Sequence, residues 1–222
     1  ALGGKEAKYT YDGTRLVVQI GPTAERASVS VIYSATPRKG LYFLDADEHV
    51  PDRPKQAWTQ FQEEDARHVI PCHDKPHAKM TTEARIRVPI GFYVLSNGAL
   101  AGREIVGKTE VFHWKMDEPH PSYLITIVAG EFVEVSAVAR INGEPPRLDE
   151  TVRWEGRDVP LTYLVPKGRE EDAKRTFGRT PEMITWFSEL LGVPYPWNKY
   201  AQVVVSDFIF GGMENTTATT MY

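Results

Sequence analysis

The residues with the most chemistry to offer stand near the end of the chain, in the run Phe208-Ile209-Phe210-Gly211-Gly212-Met213-Glu214-Asn215-Thr216-Thr217. A strand that runs into Gly-Gly bares backbone N–H and C=O groups without Cβ shielding, and an extended peptide can add to it as a further strand. Glu214, two residues on, is placed to meet a cation at the end of such a peptide. The same residues also suit a β-bulge or hairpin carrying a surface glutamate, and composition alone favours that plainer reading. A second group, Cys72, His73, Asp74 and His77, gathers metal-ligand residue types in a short stretch. Its spacing lacks the paired Cys or His elements of a zinc ribbon, and the chain has no H-E-x-x-H, so a structural or surface role is expected. His49, His68, His113 and His120 are isolated and read as ordinary surface or interface residues. No G-x-S-x-G elbow, P-loop or G-x-G-x-x-G cradle is present. Cys72 follows Pro71 in a turn-prone context, and catalytic Cys–His pairs are assembled by the fold and not by adjacency, so no thiol nucleophile is expected.

The composition narrows what these groups serve. With 26 Lys plus Arg against 30 Asp plus Glu, the formal net charge of the 222 residues is −4, and 41% are hydrophobic. That apolar content is too high, and the charge imbalance too small, for a disordered chain. No basic stripe suggests nucleic acid, and no apolar run approaches the roughly 20 residues that span a bilayer. One cysteine makes no internal disulfide, and Ala-Leu-Gly-Gly-Lys-Glu is not a charged leader before an apolar stretch. The default expectation is therefore a cytoplasmic protein. The absence of an initiator Met raises the expectation of a piece of something longer.

The elements that must position the site read as β for most of the length. Runs at Arg15–Ile20, Ala27–Tyr33, Leu41–Leu44, Trp58–Gln62, Ala84–Val88, Tyr93–Ser96, Val111–Lys115, Leu124–Ala129 and Phe132–Arg140 are strand-like. Gly21-Pro22, Asn97-Gly98 and Asn142-Gly143 are turn signals between them. Val133, Val135 and Ala137 alternate with Phe132, Glu134 and Ser136, which is compatible with one buried face. Near Pro166 the texture changes. Arg169–Phe177 is charged and helix-prone, and Thr180-Pro181-Glu182 restarts a helix with Thr180 as N-cap. Met183, Ile184, Phe187, Leu190 and Leu191 recur at helical spacing, predicting core packing, and Gly192 stops the helix. Ala201–Ser206 is then a strand. The expected fold is mainly β, an antiparallel saddle-like sandwich over residues 1–166, with a domain boundary near Pro166 and a second domain opening over 167–222.

Gly211-Gly212-Met213-Glu214-Asn215 resembles the G-x-M-E-N motif of the gluzincin (M1-type) zinc aminopeptidases, the family of aminopeptidase N and leukotriene A4 hydrolase. Two other blocks agree in order. Tyr195-Pro196-Trp197-Asn198-Lys199-Tyr200 resembles the Y-P-x-x-K-Y/F segment just upstream. Thr59-Gln60-Phe61-Gln62, Ala66-Arg67 and Pro71-Cys72-His73-Asp74-Lys75-Pro76 resemble the T-Q-x-E/Q…A-R…P-C-x-D-x-P signature, whose Cys72–His77 stretch the resemblance implies is a structural turn. The resemblance implies an N-terminal all-β domain, incomplete at its start, and the opening of a thermolysin-like α+β catalytic domain. It implies that Glu214 binds the free α-amino group of a peptide, while Gly211 and Gly212 hold its main chain within the Gly211–Asn215 motif, Met213 and Asn215 included. Gln60 and Phe210 would lie at the first side-chain pocket. Gln62 stands where many members have a second glutamate; it keeps an acceptor and loses the charge.

The family's zinc ligands, its general base and its oxyanion tyrosine have no counterpart in residues 1–222. The resemblance thus implies zinc in a full-length parent, with no catalytic or metal residue in this stretch, which alone is expected to hydrolyse nothing. The implied partners are peptides with a free N-terminus, with no nucleic acid and no membrane span. Two alternatives remain open: a non-catalytic scaffold relative, and a leukotriene A4 hydrolase-like bifunctional enzyme suggested by Gln62 and Gly212.

Overall fold

A computed structural model describes residues 6–21, 25–141 and 156–222, and Asn142-Gly143 lies outside them. The chain divides into two compact units, 1–36 and 37–222. The first carries a small hairpin of β1 (Tyr9–Tyr11) and β2 (Leu16–Val18), with Tyr9 opposite Val18 and Tyr11 opposite Leu16. Asp12 closes its turn by accepting the N–H groups of Arg15 at 2.7 Å and Thr14 at 2.8 Å, beside Gly13 at φ 93°. Those donors hold the Asp12 carboxyl below the usual aspartate range. The predicted strand at Ala27–Tyr33 is reduced to a single bridge at Val29, and Val31, Ile32 and Tyr33 are exposed. β-branched residues favour extended backbone, but a strand forms only where a ladder partner is supplied.

The second unit runs β3 (Leu41–Leu44), β4 (Gln56–Thr59), β5 (Met80–Pro89), β6 (Tyr93–Ser96), β7 (Ala99–Val106), β8 (Thr109–His120), β9 (Ile127–Gly130), β10 (Phe132–Ile141), β11 (Arg157–Pro166), α1 (Glu170–Phe177), α2 (Thr180–Leu191), β12 (Tyr200–Val204), β13 (Gly212–Met213) and β14 (Ala218–Met221). Two antiparallel sheets have the orders β3-β4-β9-β6 and β5-β8-β7. The third, β10-β11-β12-β14-β13, is mixed: β11, β12 and β14 are mutually parallel, with both helices in the β11-to-β12 crossover. The mainly β expectation therefore holds. The change of sheet falls between β9 and β10, and Pro166 ends β11 inside the mixed sheet, so that sheet runs across the expected boundary.

β11 explains how the layers join. Val159, Leu161, Tyr163 and Val165 enter one core with Ala139, Ile141, Ala173 and Phe177. Leu164, on the other face, enters a second core with Trp58, Leu95, Phe112, Trp114 and Val203. On β10 the alternation is as expected, with Val135 and Ala137 packed against the first of these cores and Glu134 and Ser136 exposed.

Helix α2 differs from expectation in two respects. Arg179 occupies the cap position, while Thr180 is already helical and donates its hydroxyl to Gln202 Oε1 at 3.1 Å. Gly192 ends the helix at φ 70°, as predicted. Its apolar stripe, however, is not core: Met183, Phe187, Leu190 and Leu191 are about half exposed or more, and so is Trp186. The helix lies against β10 through Ile184 and Thr185, whose hydroxyl donates to the Arg140 carbonyl at 2.9 Å, leaving the wider part of the stripe open.

Candidate functional site

Within Gly211–Asn215, β13 pairs with β14 alone among the described residues, Gly212 opposite Met221 and Met213 opposite Thr220, and it is the outermost strand in its sheet's order. The two glycines differ. A Cβ on Gly211 would meet open space, whereas one on Gly212 would approach Met221 Sδ at 3.3 Å and Thr220 O at 3.4 Å. Gly212 thus serves packing against β14, and Gly211 leaves the edge clear. Met213 is buried in the core, and Asn215 is buried with Nδ2 donating to Thr220 Oγ1 at 3.2 Å. Their side chains fasten the segment from beneath. Gly211, Gly212 and Glu214 are the members that face solvent. An exposed carboxylate beside an edge strand is an arrangement that can receive an extended chain ending in an ammonium.

Both flanks of this segment are tied to β4 and its neighbours. Upstream, Ser206 N–H donates to Gln56 Oε1 at 3.0 Å, and Trp58 Nε1 donates to the Ser206 carbonyl at 3.2 Å. Phe208 stands edge-on to Trp58 at 5.1 Å, and Arg53 Nε lies 2.7 Å from Asp207 Oδ2. Downstream, the relay passes through Thr59, whose hydroxyl accepts from Ile127 N–H, and Thr126, whose N–H donates to Asn97 Oδ1 at 2.8 Å. Asn97 Nδ2 then donates to the carbonyls of Leu124 and Thr216, at 2.8 and 2.7 Å. The Gln60–Gln62 segment that follows β4 and the Gly211–Asn215 segment thus hang from one frame.

Gln60 is buried; its N–H donates to the Gly40 carbonyl at 2.8 Å and its Oε1 accepts from Gln62 N–H at 3.2 Å. Among the described residues its Nε2 has no protein partner. Gln62 is exposed, and Phe210, 50% exposed, has its ring 6.5 Å from that of Phe208. Among the described residues no group of three His, Cys, Asp or Glu is arranged to hold a metal. Asp74 serves the fold instead. It is buried and accepts the N–H and Nε–H of Arg67 at 3.0 and 3.2 Å, together with the Ser122 hydroxyl. Asp74→Ala strands these donors and is expected to cost about 2–3 kcal/mol, read by denaturant unfolding. Burial and the neighbouring Asp74 carboxylate push the Cys72 thiol up to about 11, so it is a neutral thiol at pH 7. Its alkylation by iodoacetamide is expected to be slower at pH 8 than in the urea-unfolded chain and to climb only as pH approaches that value. The four isolated histidines are not alike: His120 is buried, and burial lowers its protonation point, while His113 pairs with Glu83 at 2.7 Å.

Residues 5–124 match the Peptidase M1 N-terminal domain, more than half of the chain, and residues 175–222 match the Peptidase family M1 domain. The chain belongs to the M1 peptidase family. The two matched stretches of the M1 pattern contain Gln60 and Gln62 on one side and Gly211–Asn215 on the other. Leucine aminopeptidase 2 of Candida glabrata is 30% identical over 93% of this chain and 29% of its own length. Leukotriene A-4 hydrolase of Xenopus laevis is 26% identical over 99% of the chain and 35% of its length. The crystal structure of Legionella pneumophila aminopeptidase A in complex with aspartic acid shares the fold, with a TM-score of 0.77 at 20% identity, over 100% of this chain and 25% of that one. The chain thus spans about a fifth to a third of the length of the curated M1 relatives it matches.

Three residues of this frame escape a motif reading. Asn97 is marked in the sequence as a hairpin turn with Gly98, yet it stands at a corner where β6 leaves one sheet and β7 enters another. Thr217 carries φ 66°, and Lys199 is buried beneath it. Lys199 is visible in the sequence only as a letter in the Y-P-x-x-K-Y/F resemblance, and no local signal marks Thr217.

Proposed function

We propose that this chain is the amine-recognition part of a zinc metallo-aminopeptidase that removes N-terminal residues from peptides. The observation that carries the reading is the exposed Glu214 next to an outermost strand whose buried neighbours, Met213 and Asn215, hold it in place. The substrate main chain adds to β13 along Gly211 and Gly212, and its ammonium meets Glu214. A fixed carboxylate at the end of the added strand sets the register, so only the first peptide bond reaches the hydrolytic centre. Gln60 Nε2, a buried donor awaiting an acceptor, and Phe210 border the first side chain, and Gln62 offers the amine a neutral acceptor. In this reading zinc and the chemistry of bond cleavage come from the part of the relatives' length that this chain does not span. No helix of the described residues is long and apolar enough to cross a membrane.

The test is an assay of the full-length polypeptide on a peptide and its N-acetylated form. Turnover of the free peptide only, with new N-termini appearing one residue at a time, is expected. Equal turnover of both overturns the amine-recognition role, and no turnover of either by zinc-loaded protein favours a scaffold. Epoxide hydrolysis alongside peptidase activity would place it with the bifunctional relatives.

A further inference from the structure

We infer that Lys199 is a positioning residue for amine recognition, acting on Glu214 through the turn that follows it. This rests on the reading of Glu214 given above. The residues after Glu214 form a tight turn in which Ala218 N–H donates to the Asn215 carbonyl at 3.0 Å. Its third residue, Thr217, is β-branched and sits at φ 66°, in a region that such side chains rarely adopt. A backbone held there persists only if its surroundings over-determine it.

Lys199 supplies that restraint. Its Nζ donates to the Thr217 carbonyl at 3.0 Å, to the Thr217 hydroxyl at 3.2 Å and to the Ser96 carbonyl at 3.0 Å. An ammonium has three donors, and here each has an oxygen. The Nζ also lies 4.9 Å from the centre of the Trp114 ring, within cation–π range. Gly98 N–H adds a bond to the Thr217 hydroxyl at 2.8 Å, and Ala201 N–H one to the Thr217 carbonyl at 2.9 Å. Lys199 is 8% exposed, and burial draws its ammonium down to about 7 while the oxygens and the ring replace the lost water. Among the described residues none of its partners is a carboxylate. A buried lysine satisfied by backbone carbonyls, where an aliphatic side chain would fill the same space, is a device for fixing those carbonyls. The end of β6 and the turn between Glu214 and β14 meet at this one nitrogen.

The proposal separates from a general packing role through a double-substitution cycle. In the full-length zinc-loaded enzyme, KM and kcat for leucyl-p-nitroanilide are measured for wild type, Lys199→Met, Glu214→Gln and the pair. Lys199→Met is expected to raise KM about tenfold with a smaller change in kcat, because the amine contact is made on binding. In the Glu214→Gln background the same change is expected to add less than about twofold, since the carboxylate it positions is gone. An unchanged KM in Lys199→Met, or an equal multiplication of KM in both backgrounds, overturns the proposal. If Glu214→Gln itself leaves KM unmoved, the reading of Glu214 has failed instead. Should Lys199→Met not fold, Thr217→Val removes one of the three acceptors at constant shape and enters the same cycle, with Thr217→Ser as the variant that keeps the hydroxyl. Coupling to Glu214 supports the proposal there too, and strict additivity overturns it.

Discussion

Gly98→Ala is expected to destabilise the fold by about 2–5 kcal/mol, enough to remove most soluble protein from expression at 37 °C. Gly98 sits at φ 75°, a left-handed conformation that costs an L side chain roughly 1–2 kcal/mol. A Cβ there would also stand 1.9 Å from the Lys115 carbonyl oxygen and 2.6 Å from Met116 Cα. These are backbone atoms of β8, the central strand of its sheet, paired to β5 on one side and β7 on the other, so they have nowhere to retreat. The displacement would reach the site as well, because Gly98 N–H bonds the Thr217 hydroxyl and Asn97 bonds the Thr216 carbonyl. Gly107→Ala is the control. It has φ 64°, but nothing lies within 4 Å of its Cβ, and it should cost only about 1 kcal/mol. Paired thermal melts check both; a Gly98→Ala melt close to that of Gly107→Ala would mean that β8 yields.

How far such positions are legible in the sequence depends on what burial does to a pattern. The motif residues at Gly211–Asn215 stand out because Gly-Gly beside a carboxylate is a local signal, and local periodicity marks α1, β6 and β10 nearly to their ends. β11 escapes that reading. Pro160 interrupts its run, and the strand tolerates it because the partner β12 joins only from Leu161 onward, leaving Pro160 paired on one side. β7 escapes it because a register shift between Leu100 and Gly102 breaks the alternation, and most of the strand is exposed. β4 is expected at Trp58–Gln62 and lies at Gln56–Thr59, because buried Gln56 and Thr59 serve as polar brackets for Ser206 and Thr126. Buried polar residues look like surface residues in a hydropathy pattern. Asn97 is the sharpest instance: its side chain makes three bonds to partners up to 119 residues away, and a turn dipeptide is all that its neighbours reveal. The stripe on α2 fails in the opposite sense, since apolar periodicity states which face seeks cover and not whether residues 37–222 supply it.

Glu214→Gln in the full-length enzyme is expected to raise KM for free-amine peptides roughly tenfold or more, with a smaller loss in kcat. The amide keeps the shape and one acceptor oxygen of the carboxylate and removes its charge, so the bond to an ammonium loses its ionic part. Glu214 is exposed, and solvent screening places the effect at the lower end of charge-assisted bonds in the empty site. A bound peptide along β13 would displace that solvent and raise the worth of the contact, which is why the change should appear in substrate affinity and scarcely in stability. The melting temperature of Glu214→Gln should stay within about 1 °C of wild type, because no hydrogen bond or ion pair of the described fold runs through this side chain, in contrast to its neighbour Asn215. Asn215→Ala should do the reverse, lowering the melting temperature by freeing Thr220 Oγ1 in the core before it alters selectivity. Kinetics with free and N-acetylated peptides, run beside melts of both variants, separate the two. Equal fractional losses on both substrates for Glu214→Gln would show that the glutamate shapes the strand and does not read the amine.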